Sequence, residues 1–239
     1  MIPIVEIFGP TIQGEGVFSG KPVVFVRVGG CDYRCTFCDT WYAVDPKYKG
    51  TWTKMSPGEI EAAVYKQSPT PITVVFSGGN PALYKELGIV IRNLAANNYP
   101  STCETQGSIP QEWFADLALL TISPKAPSMS NDFNWDRFLL CLQDAKNTPV
   151  EIKIPVFSDV DIDFVQQFEP VLANVEQITI SVGNLFVTDR PQGKEGSPPA
   201  DELLESYRSI VGKVLARRMH WVHILPQMHV LLWGNKKGV

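Results

Sequence analysis

Alternation of short apolar runs with helical patterns constrains the fold of this 239-residue chain more than any other feature of its sequence. The apolar runs are rich in β-branched residues, which favour strands. They cover residues 22–28, 72–76, 101–105, 119–123, 150–156, 177–182 and 221–225. Strands that alternate with helices form parallel sheets, and about six such units are too few for a closed eightfold barrel. We therefore predict an α/β fold, a partial (β/α)6 barrel that is shortened in the middle and has an open parallel sheet.

Helix signals lie between these runs. Ser56 is a good N-cap, Pro57 suits the first helical position, and Glu59 completes a capping box. Further helices are predicted over residues 134–145, 161–168 and 201–217, and another places Leu83, Leu87, Ile91 and Leu94 on one apolar face. Residues 1–10 indicate a short strand and turn, and residues 188–199 a polar loop. Because no domain boundary is evident, we expect a single domain over residues 1–239.

The composition argues against two classes of partner. The net charge is −4 and the basic residues are scattered, so no nucleic-acid partner is expected. No apolar run approaches the roughly 20 residues needed to span a bilayer, and no leader pattern opens the chain. We therefore expect a cytoplasmic protein with no membrane partner.

Three of the five cysteines, Cys31, Cys35 and Cys38, lie within eight residues, directly after the first predicted strand of the parallel sheet. Such close spacing in a reducing compartment favours a metal site or catalysis over a disulfide. A structural zinc site and a 4Fe–4S cluster both take four ligands. A Cys3His zinc site and three buried structural thiols remain possible. On a cluster, three thiolates would leave one iron open for a substrate or cofactor.

Other polar residues fall at the carboxyl ends of the predicted strands, where α/β folds place their chemistry. These loops cover residues 77–81, 104–107 and 123–125. Arg27 stands within an apolar strand, where a charge is costly unless it is paired. It could bind a substrate carboxylate or form a buried salt bridge.

The spacing Cys-x3-Cys-x2-Cys, with Phe37 directly before the third cysteine, resembles that of radical S-adenosylmethionine (SAM) enzymes. The Ser-Gly-Gly-Asn-Pro loop follows the second strand, where those enzymes carry a Gly-Gly-Glu-Pro-like segment; Asn80 replaces the glutamate. Nearly the whole chain resembles one family of these enzymes, 7-carboxy-7-deazaguanine synthase. The segments that carry this resemblance are residues 7–16, 31–40, 77–81, 104–107, 123–125 and 225–236.

The resemblance implies a radical SAM barrel, a 4Fe–4S cluster, and SAM bound at the open iron and cleaved to a 5′-deoxyadenosyl radical. It implies ring contraction of 6-carboxy-5,6,7,8-tetrahydropterin to 7-carboxy-7-deazaguanine with loss of ammonia, in queuosine and 7-deazapurine biosynthesis, with SAM as a reusable cofactor. A Mg²⁺ ion, a flavodoxin- or ferredoxin-type reductant and a homodimer are further implications.

The resemblance also assigns roles to residues. The cluster ligands are Cys31, Cys35 and Cys38. The residues expected to contact SAM are Phe37, Cys38, Asp39, Gly79, Gln106, Ser123, Pro124 and Lys125. Those expected to contact the pterin are Ile12, Gln13, Gly14, Glu15, Arg27, Ser77 and the carboxylate of Val239. Thr40 matches a magnesium ligand, although in isolation it would be interpreted as a helix or turn cap.

Two rival functions remain. A glycyl-radical activating enzyme shares the cysteine spacing, but it would need no pterin pocket, and residues 12–16 argue against it. A non-catalytic iron–sulfur or zinc protein is the other rival. We expect His220, His223 and His229 to have packing or substrate-side polar roles, and Cys103 and Cys141 to be buried apolar residues.

Overall fold

The computed structural model of the protein describes residues 1–130, 132–187, 193–194 and 196–239. The described strands are β1 Ile2–Ile12, β2 Pro22–Val28, β3 Thr53–Met55, β4 Thr73–Gly78, β5 Ser101–Thr105, β6 Leu119–Ile122, β7 Val150–Val156, β8 Gln177–Val182 and β9 Val222–Leu225. The described α-helices are α1 Pro57–Gln67, α2 Leu87–Ala96, α3 Trp135–Ala145, α4 Asp159–Gln166, α5 Ala200–Ala216 and α6 Met228–Trp233.

All nine strands form one sheet in the order β3-β1-β2-β4-β5-β6-β7-β8-β9. Strand β2 and strands β4 to β9 pair in parallel with one another, each with the next in this order. The first strand is antiparallel to both of its neighbours, β2 and β3. Within the described residues no ladder joins β9 to β3, so the barrel is open. The predicted partial barrel with an open parallel sheet is therefore confirmed.

The connections between the parallel strands follow from local sequence signals. Helix α1 begins with the predicted capping box, in which Ser56 and Glu59 satisfy each other's backbone N–H groups. Asn134 is the N-cap of helix α3, and its side chain accepts from the backbone N–H of Arg137. Between β5 and β6 the described connection contains only the short 3₁₀ helix Glu112–Asp116. This is the predicted shortening in the middle of the fold.

Several elements differ from the prediction. The amino-terminal strand is 11 residues long rather than short, because it pairs with β2 along most of its length. Strand β3 and helix α6 were not predicted; they have only three and six residues. Leu83 lies in a 3₁₀ helix before α2 and is 38% exposed, so its predicted place on the apolar helix face was wrong. The predicted loop over 188–199 falls partly outside the described residues.

Strand β7 shows how the sheet separates its two faces. Val150, Ile152 and Ile154 are buried in the hydrophobic core, and Cys103 and Cys141 lie there too, fully buried as predicted. The alternate residues of β7 point to the opposite face, where polar side chains of several strands meet. None of the helices in the described part of the chain is long and apolar enough to cross a membrane.

Candidate active site

A cavity opens on the polar face of the sheet, at the carboxyl ends of the parallel strands. Every predicted site residue except Pro124 lines it. The residues brought together are Ile12, Gln13, Gly14, Glu15, Arg27, Cys31, Cys35, Phe37, Cys38, Asp39, Thr40, Ser77, Gly79, Gln106, Ser123, Lys125 and Val239. Pro124 is buried outside this lining. The structure therefore places the candidate cluster, SAM and pterin residues around one space.

The loop that carries the three cysteines is held by its neighbours. The backbone N–H of Thr36 donates to the Met129 carbonyl over 3.1 Å, and the Thr36 hydroxyl donates to Ser130 over 2.8 Å. The Phe37 ring packs on Phe157, with 4.8 Å between ring centroids. These contacts fix both the backbone and the aromatic residue next to the third thiol.

The three thiols suit an iron–sulfur cluster as a donor set. All three are free cysteines that line the cavity. Burial raises the pKa of Cys31 to about 11 and that of Cys38 to about 12, so without a metal these thiols hold their protons. Within the described residues, no three His, Cys, Asp or Glu side chains surround one common metal position. A cluster needs no such position, because each thiolate binds a different iron. Cys31, Cys35 and Cys38 would therefore hold a cluster and leave its fourth iron open.

Asn80 is fully buried, and it organises this loop rather than facing the cavity. Its Nδ2 donates to Asp32 over 2.8 Å, and its Oδ1 accepts from Thr105 Oγ1 over 2.8 Å. Gln106 donates to the same Asp32 carboxylate, and its Nε2 lies 3.5 Å from the Cys31 sulfur. The two amides thus hold Asp32 beside the first cysteine.

Gly79 lines the cavity, but the fold itself explains why this position lacks a side chain. A Cβ at Gly79 would collide with the carbonyl of Gly30. The backbone of the next residue, Asn80, donates to that carbonyl over 2.8 Å. Packing of the two loops therefore requires a glycine at this position.

Thr40 stands at the N-cap position of the short 3₁₀ helix Trp41–Ala43, but its side chain makes no capping hydrogen bond. Its hydroxyl donates instead to the Gly78 carbonyl over 3.3 Å and lies 3.8 Å from the Cys38 sulfur. The side chain therefore faces the cavity, and the ordinary cap that the sequence left open is not formed.

Arg27 forms the buried salt bridge that the sequence left open for it, and it also faces the cavity. Its Nε donates to Glu6 over 2.7 Å, which forms a mostly buried ion pair. Tyr42 donates to the same Glu6 oxygen over 2.9 Å. Arg27 also lines the cavity, and its terminal nitrogens make no hydrogen bond to any described residue. Burial lowers the pKa of this guanidinium, but Tyr42, Glu6 and Asp39 together raise it.

Glu15 sits in a network of buried polar groups. Its carboxylate accepts from Lys153 over 2.8 Å, from Gln227 over 3.0 Å, and from Ser181. Burial raises the pKa of Glu15, but Lys153, His229 and Ser181 together outweigh burial and hold this pKa well below its usual range. Glu15 is therefore an ionised acceptor at the cavity wall.

Glu104 connects three other elements of the site. It accepts from Lys153 over 3.2 Å, from Gln13 over 2.9 Å and from Ser77 over 3.0 Å. Burial and the nearby Glu15 raise the pKa of Glu104, but Lys153 and Ser77 together produce a net lowering. Gln13 and Ser77, two of the residues expected to contact substrate, thus both donate hydrogen bonds to the Glu104 carboxylate.

The remaining predicted residues also line the cavity. Lys125 donates to Ser123 over 2.7 Å after strand β6. The carboxy-terminal tail is anchored where the Lys237 ammonium lies 3.9 Å from the centroid of the Tyr42 ring. This contact brings Val239 to the cavity.

The histidines divide into two groups. His220 and His223 are exposed, so the expected packing role was wrong for both. His229 lines the cavity, and a Cβ at Gly14 would collide with its imidazole. Sequence reasoning missed Lys153, Ser181 and Gln227, which are brought to the cavity from distant strands and loops. A lysine inside an apolar strand was the one signal that could have pointed to this network.

Comparisons with known proteins agree with this site. The model of the Radical SAM superfamily matches residues 25–130. The 7-carboxy-7-deazaguanine synthase of Bacillus subtilis is 38% identical over 244 residues, which cover 100% of this chain and 98% of that protein. The protein of the same name from Bacillus cereus is 34% identical over 242 residues, which cover 100% of this chain and 99% of that protein.

A solved structure, QueE from Escherichia coli, has the same fold. It aligns with a TM-score of 0.64 and 23% identity, covering 95% of this chain and 94% of that one. Because two relatives above 30% identity match the chain over its full length, the chain belongs to the 7-carboxy-7-deazaguanine synthase family of radical SAM enzymes.

Proposed function

We propose that this enzyme converts 6-carboxy-5,6,7,8-tetrahydropterin to 7-carboxy-7-deazaguanine with loss of ammonia, in queuosine and 7-deazapurine biosynthesis. Family membership supports the reaction, since relatives that match the whole chain are named for the product. When bound, the 4Fe–4S cluster and SAM supply a 5′-deoxyadenosyl radical. The rest of the reaction depends on how the chain holds its substrate.

One observation carries the proposal: the cysteine loop and residues 12–15 line the same cavity. Cys31, Cys35 and Cys38 hold the cluster. The residues that hold SAM are Phe37, Cys38, Asp39, Gly79, Ser123 and Lys125, with Gln106 as a weaker contact. Pro124 lies outside the lining, so its part is to shape the loop between Ser123 and Lys125.

The pterin is held on the other side of the cavity by Ile12, Gln13, Gly14, Glu15 and Ser77. A pterin edge alternates hydrogen-bond donors and acceptors, and an ionised Glu15 supplies acceptors for its N–H groups. The terminal nitrogens of Arg27 bind the substrate carboxylate. The carboxylate of Val239 closes the pterin site.

A Mg²⁺ ion completes the proposal, with Thr40 as its protein ligand. A hydroxyl oxygen suits a hard cation that keeps several waters and binds partly through substrate oxygens. Thr40 makes no capping bond that would compete with this role. From the family resemblance we further propose a flavodoxin- or ferredoxin-type reductant and a homodimer. From the sequence pattern we propose a cytoplasmic location and a single radical SAM domain over residues 1–239.

An anaerobic turnover assay tests the function. The reconstituted protein is supplied with SAM, a strong reductant, Mg²⁺ and 6-carboxytetrahydropterin, and the products are identified by mass spectrometry. Formation of carboxydeazaguanine supports the proposal. Deoxyadenosine without a deazapurine would move the search to another radical SAM substrate. If neither forms on a fully loaded cluster, the proposal is wrong.

A further inference from the structure

Strand β7 carries two charged side chains on the polar face of the sheet, and both are buried. Glu151 is 2% exposed and Lys153 is 6% exposed. Their neighbours Val150, Ile152 and Ile154 alternate into the hydrophobic core. A charge inside a sheet is costly unless partners satisfy it. The partners of these two residues therefore indicate what β7 does for the site.

The ammonium of Lys153 joins two carboxylates that come from different parts of the chain. Glu15 Oε2 lies 2.8 Å from Nζ and Glu104 Oε1 lies 3.2 Å from it. Glu104 in turn accepts from Gln13 and Ser77. One lysine thus fixes, directly or through Glu104, four residues that line the cavity.

Glu151 binds the same amino-terminal segment as Lys153, but at Val17, two residues after Glu15. It accepts from the backbone N–H of Val17 over 3.0 Å and from Thr179 over 2.7 Å. Gly16 has a φ of +69°, and a Cβ there would collide with the Glu151 carboxylate. Lys153 and Glu151 therefore hold Glu15 and Val17 to one strand.

We propose that Lys153 is a positioning residue for substrate recognition, which holds Glu15 and Glu104 as paired acceptors for the N–H groups of the pterin edge, while Glu151 fixes the turn that carries Glu15. This inference rests on the proposed function. It adds a residue that touches neither the cluster loop nor the substrate carboxylate, and it explains why β7 has two charges on its polar face.

The charges around the group explain the need for a cation. Lys153 faces Glu15, Glu104 and Glu151, and Glu15 also faces His229. Two nearby buried carboxylates without a cation repel each other, and one of them takes up a proton. A protonated carboxylate loses acceptor capacity. Without Lys153 the pKa values of Glu15 and Glu104 rise, so substrate binding becomes sensitive to pH in the neutral range.

The test compares Lys153→Met with Lys153→Arg in the full-length, cluster-loaded enzyme, measuring KM for the pterin and kcat between about pH 6 and pH 9. Lys153→Met is expected to raise KM at neutral pH at least about tenfold, the size of one lost charged hydrogen bond. Its kcat changes less, and its KM falls back towards the wild-type value as pH rises. Lys153→Arg restores the charge and most of the affinity. A matched control is Lys213→Met on α5, whose partner Asp159 is exposed; it leaves KM unchanged.

A double-mutant cycle separates positioning from general destabilisation. If Lys153 acts through Glu15, then Glu15→Gln costs less affinity in the Lys153→Met background than in the wild type. The inference is wrong if the affinity losses of Glu15→Gln and Lys153→Met are additive. It is also wrong if Lys153→Met keeps the wild-type KM, or if Lys153→Arg does not recover the affinity.

A second measurement stands if Lys153→Met does not fold or if the pterin is not the substrate. Glutamate carboxyl carbons labelled with ¹³C are titrated by NMR in the oxidised wild-type holoenzyme, with Glu15→Gln and Glu104→Gln to assign the signals. Both carboxylates are expected to stay ionised between about pH 5 and pH 8. Free glutamate is also ionised in this range. A buried glutamate without a paired cation is protonated there, because burial raises its pKa. Titration of either within this range contradicts the role of Lys153, whatever the enzyme's substrate.

Discussion

Arg27 and Glu6 form an ion pair between neighbouring strands, with 2.7 Å between Nε and Oε1. The two residues are directly paired in the register of β1 and β2. Because the pair uses Nε, the guanidinium is held in a fixed orientation while its terminal nitrogens remain available for a carboxylate. The ion pair and the substrate contact are therefore compatible roles of one side chain.

We expect Arg27→Lys to raise KM for the carboxypterin by roughly ten- to a hundredfold, with a smaller change in kcat. A lysine ammonium is a point charge, and it cannot bind Glu6 and a substrate carboxylate through separate nitrogens. A lost charged hydrogen bond of about 1.5–3 kcal/mol corresponds to this range. Steady-state kinetics test it, with Arg92→Lys as the control, since Arg92 pairs with Asp116 at the surface. An unchanged KM in Arg27→Lys would leave Arg27 with a structural role only.

The cluster assignment predicts a sharp difference among the five cysteines. Replacing Cys31, Cys35 or Cys38 singly by alanine should abolish stable cluster binding, because each thiolate holds one iron. Cys103→Ala and Cys141→Ala should keep their iron, because both thiols lie in the apolar core. Iron and sulfide analysis after anaerobic reconstitution provides the measurement. Full iron content in any of the first three variants would contradict the ligand set.

Asn80→Ala should lower the free energy of unfolding by about 2–3 kcal/mol, because it leaves buried partners unsatisfied. Asn80 is fully buried and bonds to Asp32, Thr105 and the backbone N–H of Ala82. The control is Asn93→Ala, because the Asn93 side chain donates to Glu61 at the surface. This substitution should change the free energy of unfolding by less than about 0.5 kcal/mol. Urea unfolding of both variants beside the wild type makes the comparison. Equal stability of the two variants would show that Asn80 does not organise the cysteine loop.

Thr40→Val should remove the response of the enzyme to Mg²⁺ while leaving the cluster in place. Valine keeps the shape of threonine but lacks the oxygen that a hard cation binds. The measurement is turnover with and without Mg²⁺, in parallel with iron content. Thr51→Val is the matched control, since the Thr51 hydroxyl donates to the Tyr48 carbonyl at an exposed turn. If Thr40→Val responds to Mg²⁺ as the wild type does, Thr40 is not a magnesium ligand.

Much of the fold could be predicted because buried parallel strands leave a strong local signal. Strands β2, β5, β7 and β8 have the predicted bounds, since each is rich in apolar or β-branched residues. The three residues of β3 carry no such signal; they form a strand because β1 offers a free edge. Helix α6, with six residues, is too short to show a period. Length therefore limited what could be predicted.

The parts of the cavity that could be predicted are those formed by short, contiguous sequence motifs. The cysteine loop and residues 12–15 line one cavity, although β1 is antiparallel to β2 and Ile12, at the end of β1, pairs with Pro22 at the start of β2. The role of Asn80 could not be predicted, because its partners Asp32 and Thr105 lie far from it in sequence. Lys153 was missed for a similar reason: one lysine in an apolar strand does not reveal which carboxylates it meets.

The most direct test of the account is equilibrium binding of 6-carboxytetrahydropterin to the cluster- and SAM-loaded protein, compared with tetrahydropterin that lacks the 6-carboxylate. If the pterin occupies the cavity shared by the cysteine loop and residues 12–15, the carboxylated ligand should bind at least about tenfold more tightly. Arg27→Lys should remove this preference without removing the cluster. Equal affinity for the two pterins, or a preference that survives in Arg27→Lys, would contradict the placement of the substrate in this cavity.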